Sequence, residues 1–239
     1  MLEANSRVIQ SNQDGLHENL DAIVKKHLAQ PFNKPFHDAT LAAFYELRER
    51  VQQLGKPVIF DSCCGVGESS ANLALRHPEA LVVGMDKSAY RLNKHDDNYD
   101  KGADNLVLLR VDLNDLWRLA VADGWQLSHH YLLYPNPWPK SSHIKRRWHG
   151  APVFPYLLML GGKLEMRSNW PIYLQEFARA LEIAGIDSQF AQLEFDGTDL
   201  TPFERKYRLS EQPLYQLTAD LRGVELPWRS ELVLPEPKG

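Results

Sequence analysis

Val58-Ile59-Phe60-Asp61-Ser62-Cys63-Cys64-Gly65-Val66-Gly67-Glu68-Ser69-Ser70 is the stretch from which the fold of this chain can be read. Its first three residues are large and apolar, the pattern of a short strand buried on both faces. Gly65 and Gly67 then let the backbone turn tightly and approach a ligand closely. From about Ser69 to Arg76 the spacing is helical. A strand, a glycine-bearing turn and a helix open a nucleoside-binding α/β unit. The third glycine position of a dinucleotide fingerprint holds Ser70, and Asp61 and Glu68 flank the glycines. A pyrophosphate favours a helix N-terminus without carboxylates. The loop therefore suits a cationic ligand better than a nicotinamide dinucleotide.

Downstream the alternation continues. Strands are expected over Ala80 to Met85, Leu106 to Val111, Tyr131 to Tyr134 and Gly162 to Arg167. Helices are expected after Asp86, over Leu113 to Ala122, over 151–160 and over Pro171 to Ala184. Phe190 to Phe195 and Leu214 to Asp220 read as two closing strands. Repeated βα units predict an α/β fold, a Rossmann-like doubly wound and mostly parallel sheet. Upstream, 16–29 reads as a helix with Leu16, Leu20, Ile23, Val24 and Leu28 on one side, and a second helix starts near Asp38, a candidate cap. The expected organisation is an N-terminal helical extension over 1–55, one domain over 56–222 and an extended surface tail over 223–239, which carries Pro227, Pro235 and Pro237.

A chain of 239 residues, 44% of them hydrophobic, can bury one substantial core. Its net charge of −4 rules out a whole-molecule basic field, so any nucleic acid must meet a local patch. The only cysteines, Cys63 and Cys64, are adjacent. That spacing suits neither a disulfide nor a zinc site. No signal-peptide core opens the chain, and the longest apolar stretch, Val153 to Leu160, contains Pro155 and is too short for a bilayer. A reduced, cytoplasmic protein without membrane or metal, monomeric or homodimeric, is expected.

In such sheets ligands sit beyond the carboxyl ends of the strands. Gly84-Met85-Asp86 places a carboxylate where ribose hydroxyls are held. Arg110-Val111-Asp112-Leu113 places another beside an adenine. Each carboxylate alone also fits a helix cap. Three of them after three successive strands, with Asp61 the first, form a nucleoside pattern. S-adenosylmethionine, which carries a sulfonium and an amino group but no phosphate, suits this acidic lining.

The fourth junction is Tyr134-Pro135-Asn136-Pro137-Trp138-Pro139-Lys140. Its prolines restrict the backbone on both sides of Asn136 and present one polar side chain with little freedom. Ser141-Ser142-His143-Ile144-Lys145-Arg146-Arg147-Trp148 follows. Lys140, Lys145, Arg146 and Arg147 give four positive charges in eight residues, bordered by Trp138 and Trp148. Phosphate neutralisation with stacking is how RNA is held, although a solvated basic face is the plainer alternative.

These motifs resemble the tRNA guanine-N(7) methyltransferase family, whose pattern is Pro-Asp-Pro-Trp followed by a His/Lys/Arg cluster. Thr201-Pro202-Phe203-Glu204 is similar to its Thr-x-Phe-Glu segment, and Asn169-Trp170-Pro171-Ile172-Tyr173 to its Asp-Trp-x-x-Tyr. The resemblance runs from about residue 57 to 221. It implies S-adenosylmethionine as cofactor, held by Asp61, Gly65, Gly67, Asp86, Asp112 and Asn136, and tRNA as partner. It implies Asn136 and Glu204 as the catalytic pair. Lys140, Asn169, Thr201, Phe203 and Glu204 would surround the guanine, and His143, Lys145, Arg146 and Arg147 would meet the tRNA. The chain departs from the pattern at Cys63, in place of a glycine, and at Asn136 and Asn169, in place of aspartates. Asn136-Pro137-Trp138 is also near the Asn-Pro-Pro-Tyr pattern of exocyclic-amine methyltransferases. A non-catalytic RNA- or partner-binding protein on the same fold is the third reading.

Overall fold

The computed structural model describes residues 6–94 and 104–237. Two helices, α1 (Leu20–Leu28) and α2 (Asp38–Leu54), precede the sheet. Then come β1 (Val58–Ser62), α3 (Glu68–Arg76), β2 (Leu81–Asp86), α4 (Ala89–Leu92), β3 (Leu106–Arg110), α5 (Leu113–Ala122) and β4 (His129–Leu133). Two 3-10 turns, Ser141–Arg146 and Trp148–Gly150, lead to α6 (Phe154–Met159), β5 (Lys163–Ser168), α7 (Pro171–Ile183), β6 (Ser188–Gln192), α8 (Pro202–Leu209) and β7 (Tyr215–Asp220). Among the described residues the strands form one seven-stranded sheet, ordered β3-β2-β1-β4-β5-β7-β6. The first five of these pair in parallel, and β7 runs antiparallel between β5 and β6.

Strands β1 and β2 are buried along their whole length, including Asp61 and Ser62 of β1 and Asp86 of β2. One face of the sheet, with Phe60, Val83 and Met85, packs against α1, α2, α5, α6 and α7 through Val24, Phe44, Trp117, Phe154 and Phe177. The other face, with Ile59 and Val82, receives Leu73 and Ala74 of α3. Among the described residues no helix is long and apolar enough to cross a membrane, and no cluster of His, Cys, Asp or Glu is arranged to hold a metal ion.

Several local expectations shift. Helix α1 starts at Leu20 rather than 16, because the His17 amide donates to the buried Glu176 carboxylate (2.9 Å) and Leu16 is left exposed. Asp38 is the first residue of α2 and not its cap. The cap position is His37, whose amide and ring Nδ1 both reach Asp115 Oδ2, at 2.9 and 2.6 Å. The first closing strand is Ser188–Gln192, displaced from 190–195. Helix α8, unforeseen, has Pro202 in its first turn, where its missing N–H costs nothing. The helix expected after Asp86 is described only as Ala89–Leu92, and the residues following Lys94 lie outside the described ones. The C-terminal tail is docked: Trp228 is buried and donates its indole N–H to the Leu28 carbonyl (2.9 Å), and the Tyr45 hydroxyl donates to the Pro235 carbonyl.

Candidate functional site

A cavity of about 420 Å³ opens where the carboxyl ends of β1, β2 and β4 meet the start of α5. Cys63, Asp86, Asp112, Asn136, Trp148 and Phe203 are on its walls. Asp61, Gly65 and Gly67 do not line the cavity themselves; the glycine loop touches it through Cys63 and is tied to it by a specific set of bonds. Gly65 and Gly67 have φ of +63° and +81°, the left-handed region that only glycine enters freely. The Gly65 amide donates to Asp86 Oδ2 (3.1 Å), tying the loop to the end of β2. Asp86 Oδ1 accepts from the Ser88 amide (2.8 Å), and Arg91 Nη1 lies 3.3 Å from Oδ2. Asp112 caps α5, accepting from the Asn114 amide (3.0 Å), and still lines the cavity. Capping and lining the cavity are thus compatible at this residue.

Asp61 sits beneath the loop, completely buried. Its Oδ2 accepts from the hydroxyls of Ser69 and Ser70, each at 2.6 Å. Its Oδ1 has no hydrogen-bond partner among the described residues. Burial pushes its pKa up to about 6, against the pull of the two serines. Cys63, where the resemblance expects glycine, takes φ +66°, and burial pushes its thiol up to about 12. It is a neutral, strained wall residue.

The loop after β4 makes the opposite wall. Tyr134 and Trp138 both have positive φ, +52° and +46°. Between them Pro135 and Pro137 turn Asn136 onto the cavity. Strain of this kind is kept only where surrounding contacts over-determine the backbone. At Tyr134 the hydroxyl donates to Glu204 Oε2 (3.0 Å), and burial pushes its pKa up. At Trp138 the ring is flanked by the Arg146 guanidinium (4.7 Å) and the His143 ring (5.6 Å).

The other expected residues scatter. Lys145 and Arg146 are exposed on the 3-10 turn beside this wall, with Lys140 at its entry. His143 is held below its ordinary pKa by desolvation and by Arg146 and Lys140, so it adds no charge to the patch at neutral pH. Arg147 is a correction: it is fully buried and cannot reach a tRNA. Its guanidinium pairs with Glu176 Oε2 (2.5 Å). Glu204 is a second correction. Its carboxylate accepts from Tyr134, from Arg167 Nη1 (3.0 Å to each oxygen) and from the Leu200 amide (3.2 Å). No acceptor is left to grasp a guanine edge. Thr201 caps α8 through the Glu204 amide (2.9 Å). Asn169 donates to Gln212 (2.8 Å) away from the cavity. Trp148 was legible only as the aromatic border of the basic run. The fold turns it inward, 4.7 Å from Trp117. On the cavity wall, Tyr134 was legible only as the first residue of the proline motif, and Tyr207 had no signal in the sequence.

Comparison with known proteins adds independent findings. A family described as "Putative methyltransferase" matches residues 55–217. The chain is 28% identical over 211 residues to the tRNA (guanine-N(7)-)-methyltransferase of Bacillus licheniformis, across 80% of this chain and 98% of that protein. It is 28% identical over 154 residues to the enzyme of the same name from Neisseria meningitidis serogroup C, across 62% of this chain and 60% of that one. Among solved structures, the 16S rRNA methyltransferase KamB is similar, with a TM-score of 0.55, 19% identity, and coverage of 78% of this chain and 94% of that one. An antibiotic-related methyltransferase has a TM-score of 0.55 with 13% identity, over 80% and 96% of the two chains. At these identities the structures establish the fold alone.

Proposed function

The chain belongs to the methyltransferase family whose model it matches over residues 55–217, and on that premise we propose that it transfers the methyl group of S-adenosylmethionine to ring nitrogen 7 of a guanine in tRNA, in the cytoplasm. The observation that carries this reading is the meeting of Asn136 with Cys63, Asp86 and Asp112 on one cavity. The residues fit the donor. Asp86 and Asp112 offer carboxylates to a nucleoside, Leu113 and Trp148 offer apolar surface, and the unpartnered Asp61 Oδ1 adds negative potential beneath the glycine loop.

When bound, S-adenosylmethionine supplies a methyl group activated on a sulfonium. Nitrogen 7 of guanine carries an in-plane lone pair and no proton, so no base is needed before transfer. The protein's task is alignment, with the reacting atoms about 3–3.5 Å apart. Asn136 offers one acceptor and one donor to orient the purine. Unlike an aspartate it adds no charge to offset the cationic product. Phe203, exposed on the cavity rim, offers a ring against which a splayed base stacks. Lys140, Lys145 and Arg146 neutralise neighbouring phosphates.

Bulk tRNA incubated with the protein and labelled S-adenosylmethionine is expected to gain label at sites that become alkali-cleavable. Label in an exocyclic amine would instead favour the amine-methylating alternative, whose basis is the Asn-Pro order at 136–137. Cofactor binding by calorimetry with no label in RNA would point to the non-catalytic alternative.

A further inference from the structure

The buried Arg147 guanidinium directs its donors at the loop that carries Asn136. Its Nε and Nη2 donate to the Trp138 carbonyl at 3.2 and 3.1 Å. Nη2 also reaches the Lys140 carbonyl (3.2 Å) and Gln13 Oε1 (3.1 Å). Nη1 faces Glu176 Oε2, and the guanidinium lies 4.8 Å from the Trp170 ring. The Trp138 peptide is therefore held from both ends, because its N–H donates to Asn136 Oδ1 (3.4 Å). That accounts for how a tryptophan stays at φ +46°, a backbone state that is costly for a bulky residue.

The N-terminal segment completes the clamp from outside. The Ser11 hydroxyl donates to the Pro139 carbonyl (2.6 Å), and the Ser141 amide donates to Asn12 Oδ1 (3.0 Å). Gln13 donates to Glu176 Oε1 (2.5 Å). Burial pushes the Glu176 carboxyl up, but His149 and Arg147 outweigh it and bring it to about 2. It is a permanent anion under the clamp. A buried ion pair is a weak source of net stability and better suited to specifying one geometry.

We propose that Arg147, seated on Glu176 and closed over by residues 11–13, is a positioning residue for methyl transfer: it holds Pro137–Lys140 so that Asn136 faces the cofactor cavity. The proposal rests on the methyl-transfer reading above for its kinetic consequence, but not for its structural one. A planar fork reaches two carbonyls and a carboxylate together, which a lysine ammonium cannot.

Two variants test it. Arg147→Lys keeps a charge opposite Glu176 and loses the fork. Ser11→Ala with Asn12→Ala loosens the outer strap without touching the buried pair. Amide hydrogen exchange at 136–141, cofactor Kd by calorimetry, and kcat and KM for tRNA are measured on each. Exchange at 136–141 is expected to rise in both. In Arg147→Lys, kcat falls about 10- to 100-fold while cofactor Kd and KM stay within about twofold, and the strap variant moves the same way by less. Unchanged exchange and kcat in both variants overturn the proposal. A raised KM for tRNA at constant kcat overturns it in favour of direct RNA contact. Loss of cofactor binding in step with kcat overturns it in favour of a general structural role. Should the unmodified protein methylate no RNA, the functional reading fails by itself, and the exchange measurement still decides the clamp.

Discussion

A carboxylate with one oxygen bonded twice and the other, among the described residues, not at all, as in Asp61, is poised to respond to a cation. With its pKa pushed up to about 6 by burial, the ligand-free protein takes up a proton there as pH falls through that value. A cationic cofactor favours the ionised form and lowers the pKa in the complex. Affinity is then full above about pH 6 and lost below it, with proton release on binding near the midpoint. Calorimetry in buffers of different ionisation heat checks the sign, and Asp61→Asn is expected to abolish the dependence. Glu204 shows how far a motif alone carries. Its position was legible from the Thr-x-Phe-Glu resemblance, yet its partners, Tyr134 and Arg167, lie in other strands and loops. Glu204→Gln leaves Arg167 paired with Glu165 only, at a cost of about 1–3 kcal/mol. For a domain of this size that is a fall in Tm of about 2–12 °C, accompanying any loss of turnover. Reduced turnover at unchanged Tm would instead restore Glu204 to direct contact with the base.

Between elements, α3 approaches the middle of the sheet closely. A Cβ added at Gly84 of β2 would lie 2.2 Å from Ser70 Oγ and 2.5 Å from Leu108 Cδ2. Gly84→Ala must therefore push the start of α3 away from β2, costing about 1–3 kcal/mol. It also dislodges one of the two hydroxyls bonded to Asp61. A lowered Tm together with weaker cofactor binding is expected, and wild-type values for both would mean that α3 shifts freely. The sequence placed β2, the glycine turn and α3 because buried strands and amphipathic helices announce themselves by local spacing. It missed α8 because the eight residues Pro202–Leu209 are mostly polar or charged. It extended α1 by a turn because the hydrogen bond that stops the helix, His17 to Glu176, spans 159 positions.

Over the whole molecule the net charge is −4, and many arginines outside the basic run are matched by carboxylates, Arg48 with Asp123, Arg179 with Asp21 and Arg208 with Asp199 among them. RNA affinity must then come from the local patch. Replacing Lys145 and Arg146 by Ala is expected to weaken tRNA binding and to reduce the slope of log affinity against log salt by about 1 for each phosphate that is no longer neutralised. An unchanged slope in a filter-binding series would place the RNA on another surface. The alternation of strands and helices from β1 to α7, the carboxylates at three strand ends and the proline-flanked Asn136 all followed from the sequence, because each depends on residues a few positions apart. Which cations face solvent and which are sealed inside was decided by tertiary structure. Lys145, Arg146 and Arg147 are neighbours in one run, yet a buried carboxylate on α7 and two loop carbonyls claim only the third. Partners that far away in the chain leave no periodic mark, and only the packed fold brings them together.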